Sequence, residues 1–184
     1  MLYLLERGFL GFTVFSTLEF TYNMNHIQQG FTLIELLVGV AILGVITATA
    51  VPWYRTYLPR TQVARAIVEL SEQKGVVEQC LGAGLLNVGA GLGACDPTAM
   101  ISDILAGNPP QGSTVAPQGA VGGFPIISSP LQENGTTIQA EFGNQASPFI
   151  QGKTLTFTRS QGGTWRCRFS GDSTYAPTNC PAEP

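Results

Sequence analysis

Glu35 is the residue whose setting most demands a chemical partner. It is the sole charge in the run from Phe31 to Tyr54, FTLIELLVGVAILGVITATAVPWY. A carboxylate in hydrocarbon is costly and is usually paired. Two opposite charges ~4 Å apart attract by roughly 4 kcal/mol at an effective dielectric near 20. Taken without its neighbours, Glu35 has a second account, in which it snorkels to the interface or sits neutral. The four cysteines allow three pairings. Cys80–Cys95 and Cys167–Cys180 close short loops beside Gly/Pro-rich chain, and closing a loop of ~15 residues is worth roughly 3 kcal/mol. Zinc would compete for the same thiols, but no C-x₂₋₄-C spacing occurs. With His26 as the one histidine, neither a His-based metal cluster nor a Ser-His-Asp triad is readily built. Asp96, Asp103, Glu133, Glu141 and Asp172 show no metal or acid–base spacing. Gly89–Ala94 superficially matches a dinucleotide fingerprint, with no strand before it and no βαβ unit after it. No catalytic residue, metal or cofactor is expected.

The elements that must carry these residues follow from composition. Of 184 residues, 44% are hydrophobic and only 11% charged, against roughly 25% charged in ordinary soluble domains. A net charge of −3 excludes a chain built to coat nucleic acid. The apolar run exceeds the roughly 20 residues that a helix needs to cross a bilayer. It lacks the polar stripe of a buried core helix. Arg55, Arg60 and Arg65 follow it, and by themselves would hold its C-terminal side in the cytoplasm. Disulfides need an oxidising compartment, which overrules that bias and places the following region outside. No secretory cleavage site stands out at the end of the run, because Ile46-Thr47-Ala48-Thr49-Ala50 runs on through Pro52 and Trp53 without a break in polarity.

Gly30-Phe31-Thr32-Leu33-Ile34-Glu35-Leu36 resembles the processing site of type IV pilins and pseudopilins. The resemblance implies cleavage between Gly30 and Phe31 on the cytoplasmic side by a prepilin peptidase. Methylation of Phe31 follows. It implies pairing of Glu35 with the terminal amine of a neighbouring subunit, and melting of the helix between Gly44 and Pro52 as subunits pack. Residues 1–30 are then leader. The simplest account starts translation at Met24, with 24–30 as the leader and 1–23 untranslated; the alternative is a genuine long leader over 1–30. Trp165-Arg166-Cys167, Tyr175-Ala176-Pro177 and Cys180-Pro181 resemble the C-terminal disulfide-bounded loop of type IVa pilins. That favours a pilin proper over a pseudopilin; a major pilin is the first reading, with a minor pilin or a pseudopilin of a secretion or competence system as the alternative. The implied partners are copies of the same chain, the peptidase, the inner-membrane assembly machinery and the inner membrane before assembly. Host surfaces or DNA are further targets. The implied locations are an inner-membrane pool with a periplasmic head, then an extracellular pilus serving adhesion, twitching motility or DNA uptake.

The expected fold is α+β, the type IV pilin fold, with one long helix over 31–81 and a small antiparallel sheet. Residues 31–54 form the membrane or filament-core half. Val63, Ile67, Leu70, Val77 and Leu81 make one helical stripe for packing on the head, with Lys74 in its gap. Pro52 and Pro59 interrupt the hydrogen-bond ladder, and Gly82 and Gly84 end the helix. Residues 82–135 read as a Gly/Pro-rich connection with a short helical turn near 98–106. Residues 136–184 read as the sheet and disulfide-bounded loop. Thr137–Phe142, Thr154–Thr158 and Thr164–Phe169 alternate as strands, the last two joined by a turn at Ser160–Gly163. Asn134-Gly135-Thr136 reads as a turn before it reads as a glycosylation sequon. Arg166 and Arg168 read as a solvated strand face, and Trp53, Tyr54 and Tyr57 as an interfacial aromatic belt.

Overall fold

The computed structural model describes residues 30–183, so the expected leader up to Gln29 lies outside the described residues. Among them the order is α1 (Leu33–Gly82), β1 (Ile126–Ile127), β2 (Thr137–Glu141), β3 (Thr154–Arg159) and β4 (Trp165–Phe169). The chain divides into two units, one ending at Leu43 and one beginning at Gly44, and α1 contributes to both. Helix α1 starts two residues later than expected and continues through Pro52 and Pro59. By length and composition it can cross a membrane.

Within the second unit the expected stripe holds. Val63, Leu70 and Val77 are fully buried, Ile67 nearly so, and Leu81 packs at the margin of the core. Ala66, Gln73 and Cys80 are buried with them, so the buried face is wider than a single row. The sheet is antiparallel throughout in the order β1-β2-β3-β4. Its inward residues Ile138, Ala140, Leu155, Phe157 and Phe169 alternate with exposed or half-exposed Gln139, Thr156, Arg166 and Arg168. That alternation follows from the two-residue pleat. Phe142, just past β2, meets the Phe169 ring edge to face at 6.0 Å between centroids.

Two expectations need correction. No helix forms at 98–106; only a single turn does, in which the Leu105 N–H reaches the Ser102 carbonyl (3.3 Å). Ser102 pairs as an isolated bridge with Gly123, and Leu105 with Phe142, because the backbone there is drawn to the sheet. Gly123 is obligatory at that crossing, since a Cβ would overlap the carbonyl oxygen of Ala106. Strand β1 is an element that sequence periodicity misses, being two residues long. Its outer edge is closed by a side chain. The Gln111 carboxamide donates Nε2–H to the Ile127 carbonyl (2.8 Å) and accepts the Ile127 N–H (2.6 Å). A strand edge that would otherwise pair with another chain is thereby occupied.

Candidate processing and assembly site

The site begins where α1 begins. Thr32 is the N-cap: its Oγ1 accepts the Glu35 N–H (3.3 Å) and its carbonyl accepts the Leu36 N–H (3.2 Å). Gly30 and Phe31 stay outside the helix and are exposed. Glu35 is the acidic residue of the first turn, where the positive end of the helix dipole favours a carboxylate. Thr32 and Glu35 have the spacing of a capping box. The sequence carries this signal as T-x-x-E ahead of an apolar run, although Thr32 bears no charge to draw notice.

Every residue from Gly30 to Tyr57 is exposed. Leu33 is 75% accessible, Val45 69% and Trp53 80%. From Phe31 to Tyr54 that surface carries one carboxylate and no other charge, and so long an apolar face needs lipid or protein around it. Its hydroxyls are already served locally. Thr47 Oγ1 donates to the Gly44 carbonyl (3.1 Å), and Thr49 Oγ1 to that of Ile46 (3.0 Å). In hydrocarbon this is how such groups avoid desolvation without a partner. Gly44 and Pro52 are brought to one shallow groove, which Thr47, Ala48, Val51 and Arg55 also line.

Both disulfides form. Cys80, in the last turn of α1, joins Cys95 with Cα atoms 5.6 Å apart, and Cys167 in β4 joins Cys180 at 4.7 Å. The second bond fixes the tail along β4: Phe169 N–H donates to the Pro181 carbonyl (3.1 Å), and Glu183 N–H to that of Phe169 (2.8 Å).

A polar tie invisible to spacing arguments fastens α1 to the sheet. Glu78 accepts Arg159 Nε–H on Oε1 (2.8 Å), Arg159 Nη2–H on Oε2 (2.9 Å) and Trp165 Nε1–H on Oε1 (2.8 Å). The forked guanidinium matches both carboxylate oxygens. Hydrogen bonding from Arg159 holds the Glu78 carboxyl below its ordinary value; burial opposes it, and the Trp165 hydrogen bond adds a smaller downward pull. A depressed folded value stabilises above the unfolded value near 4.5 and is lost as pH falls through the folded one. Glu78→Gln is therefore expected to lower stability at pH 7, with a smaller difference from the parent at pH 3. Denaturant unfolding of both chains at the two pH values checks this. Beside the tie, Lys74 Nζ lies 3.5 Å from the centre of the Phe157 ring. Burial lowers its ammonium below the usual lysine range.

Residues 25–51 match the prokaryotic N-terminal methylation motif, and residues 59–181 match the pilin (bacterial filament) family. The chain belongs to the type IV pilins. A probable minor fimbrial protein of Dichelobacter nodosus is 39% identical over 156 residues, spanning 83% of this chain and 94% of that protein. A type IV major fimbrial protein FimA of the same organism is 35% identical, over 85% of this chain and 99% of its own. A fimbrial protein of Pseudomonas aeruginosa is 34% identical, over 84% and 97%. The α+β architecture of one long helix and a small antiparallel sheet is the fold of this family. The pilin match spans both disulfides, and the methylation match contains Gly30, Phe31, Glu35 and Gly44 but stops before Pro52.

Proposed function

We propose that this pilin is a major structural subunit, without catalytic activity, that polymerises into a type IV pilus. The observation that carries the reading is an exposed apolar helix with a lone carboxylate four residues beyond Phe31, continuing into a disulfide-bonded fold. A prepilin peptidase hydrolyses the Gly30–Phe31 bond on the cytoplasmic side, and the new terminal amine is methylated. The chain waits in the inner membrane with its disulfides in the periplasm. During assembly the apolar half of α1 passes from lipid to a bundle of like helices, so its surface never meets water. Glu35 pairs with the terminal amine of a neighbouring copy, and the segment between Gly44 and Pro52 yields as the helices pack. Glycine and proline both weaken a helix there. The partners are copies of the chain, the peptidase and the assembly machinery. Outputs are adhesion, twitching motility or DNA uptake.

The identity to a probable minor fimbrial protein favours a second reading, a minor subunit at low copy. Shearing filaments from the cell surface and quantifying this chain decides between them. The major role predicts that it dominates the sheared protein. A trace amount within filaments made mostly of another pilin contradicts that role.

A further inference from the structure

Thr32 has a duty that a cleavage motif alone does not assign. We infer that its hydroxyl sets the helix boundary that keeps the Gly30–Phe31 peptide bond available for hydrolysis; the inference rests on the processing reading above.

Without the cap, little in the local sequence would hold the start of α1 at Leu33. Nearly every residue from Leu33 to Val51 is apolar, and hydrocarbon drives backbone groups to pair within a helix. Phe31, Gln29 and Gln28 impose no stop of their own, and Gly30 weakens a helix without ending it. Extending α1 backward by one turn would give the Gly30 carbonyl to the Ile34 N–H, the regular i→i+4 bond. That carbonyl is the one water must attack. Hydrolysis adds water to the Gly30 carbonyl carbon and breaks the C–N bond. A carboxylate is left on Gly30 and the amine on Phe31. A carbonyl held inside a helix is neither extended nor free to be polarised by an enzyme.

The observed cap prevents this. Thr32 Oγ1 takes the Glu35 N–H and the Thr32 carbonyl takes that of Leu36, so the first helical residue is Leu33. An N-cap residue itself has non-helical backbone dihedrals. Gly30 and Phe31 therefore lie on the non-helical side of a defined boundary, exposed, with open space where a Cβ of Gly30 would be. Thr32 is thus a positioning residue for the cut, acting through the backbone and not by touching the attacking water.

Full-length precursor in membrane vesicles, incubated with a prepilin peptidase, provides the test. The readout is the rate at which a chain beginning at Phe31 appears. Thr32→Val keeps the shape and removes the acceptor, and roughly fivefold slower cleavage is expected from loss of a typical cap. Thr32→Asn and Thr32→Ser both restore a capping side chain, and both are expected to cleave near the parental rate. Amide exchange should show protection spreading to Ile34 in the Val variant alone. Parental cleavage of Thr32→Val overturns the inference. So does slow cleavage of Thr32→Asn, because the enzyme would then be reading the threonine side chain itself. A parent chain that is never cut at Gly30–Phe31 fails at the earlier step and overturns the processing reading with it.

Discussion

Glu35→Val is expected to leave the protein folded and inserted while filament yield falls more than tenfold. The reason is an asymmetry between lipid and filament. In lipid the carboxylate is a liability, so valine holds the chain there more firmly. In the filament the carboxylate has an amine to meet, and that attraction, roughly 4 kcal/mol at ~4 Å, disappears with the side chain. Both changes shift the balance toward the membrane pool. The substitution also removes the acidic residue of the first helical turn, an effect of about 0.3–1 kcal/mol on the helix itself. The core lies elsewhere, from Val63 to Cys180, and should be untouched. Near-ultraviolet circular dichroism in detergent reports folding, and sheared surface protein reports assembly. Normal filament yield from this variant would refute the charge-pairing role. A misfolded variant would show instead that Glu35 acts through the fold.

Loss of the Cys167–Cys180 bond is the second large effect. Replacing both cysteines by serine is expected to cost about 3 kcal/mol in the chain-entropy account, lowering Tm by roughly 10 °C. The consequence extends beyond the loop. The bond holds residues 181–183 on β4, where Pro181 and Glu183 occupy backbone groups of Phe169. Once released, β4 becomes an open edge next to the buried Phe169, and self-association should accompany the loss of stability. Removing Cys80–Cys95 is expected to destabilise by a similar amount without opening an edge. Its loop keeps local bonds, Gly89 N–H to the Cys95 carbonyl (2.9 Å) and Cys95 N–H to that of Asn87 (2.8 Å). Thermal unfolding with light scattering separates the two double variants. Equal aggregation from both would contradict the edge-covering role.

The contrast between those loops shows which parts of the fold sequence could reveal. The stripe Val63–Leu81 is legible because burial on a helix repeats every three or four residues, and the facing rows Ile138/Ala140 and Leu155/Phe157 because burial on a strand repeats every two. Short loops make the cysteine pairing legible as well. The segment 83–123 is illegible for a physical reason. Its conformation is set by isolated non-local contacts: Ser102 with Gly123, Gln111 with Ile127, and Leu131 N–H to the Leu86 carbonyl. None of these leaves a periodic trace. The Glu78–Arg159–Trp165 tie joins residues 81 and 87 positions apart, and no local pattern announces it. At the site, Gly30, Phe31 and Glu35 stand out because motif and hydropathy coincide there. Thr32 is visible only to someone who asks what stops the helix.

Assembly by the proposed route requires removal of everything before Phe31, and the mass of the surface-exposed chain measures that directly. Intact-mass spectrometry of sheared filaments should find a species whose first residue is Phe31. That species should be heavier than the bare sequence by one methyl group and lighter by the four hydrogens lost in two disulfides. Surface material that still carries residues upstream of Phe31 would contradict the account.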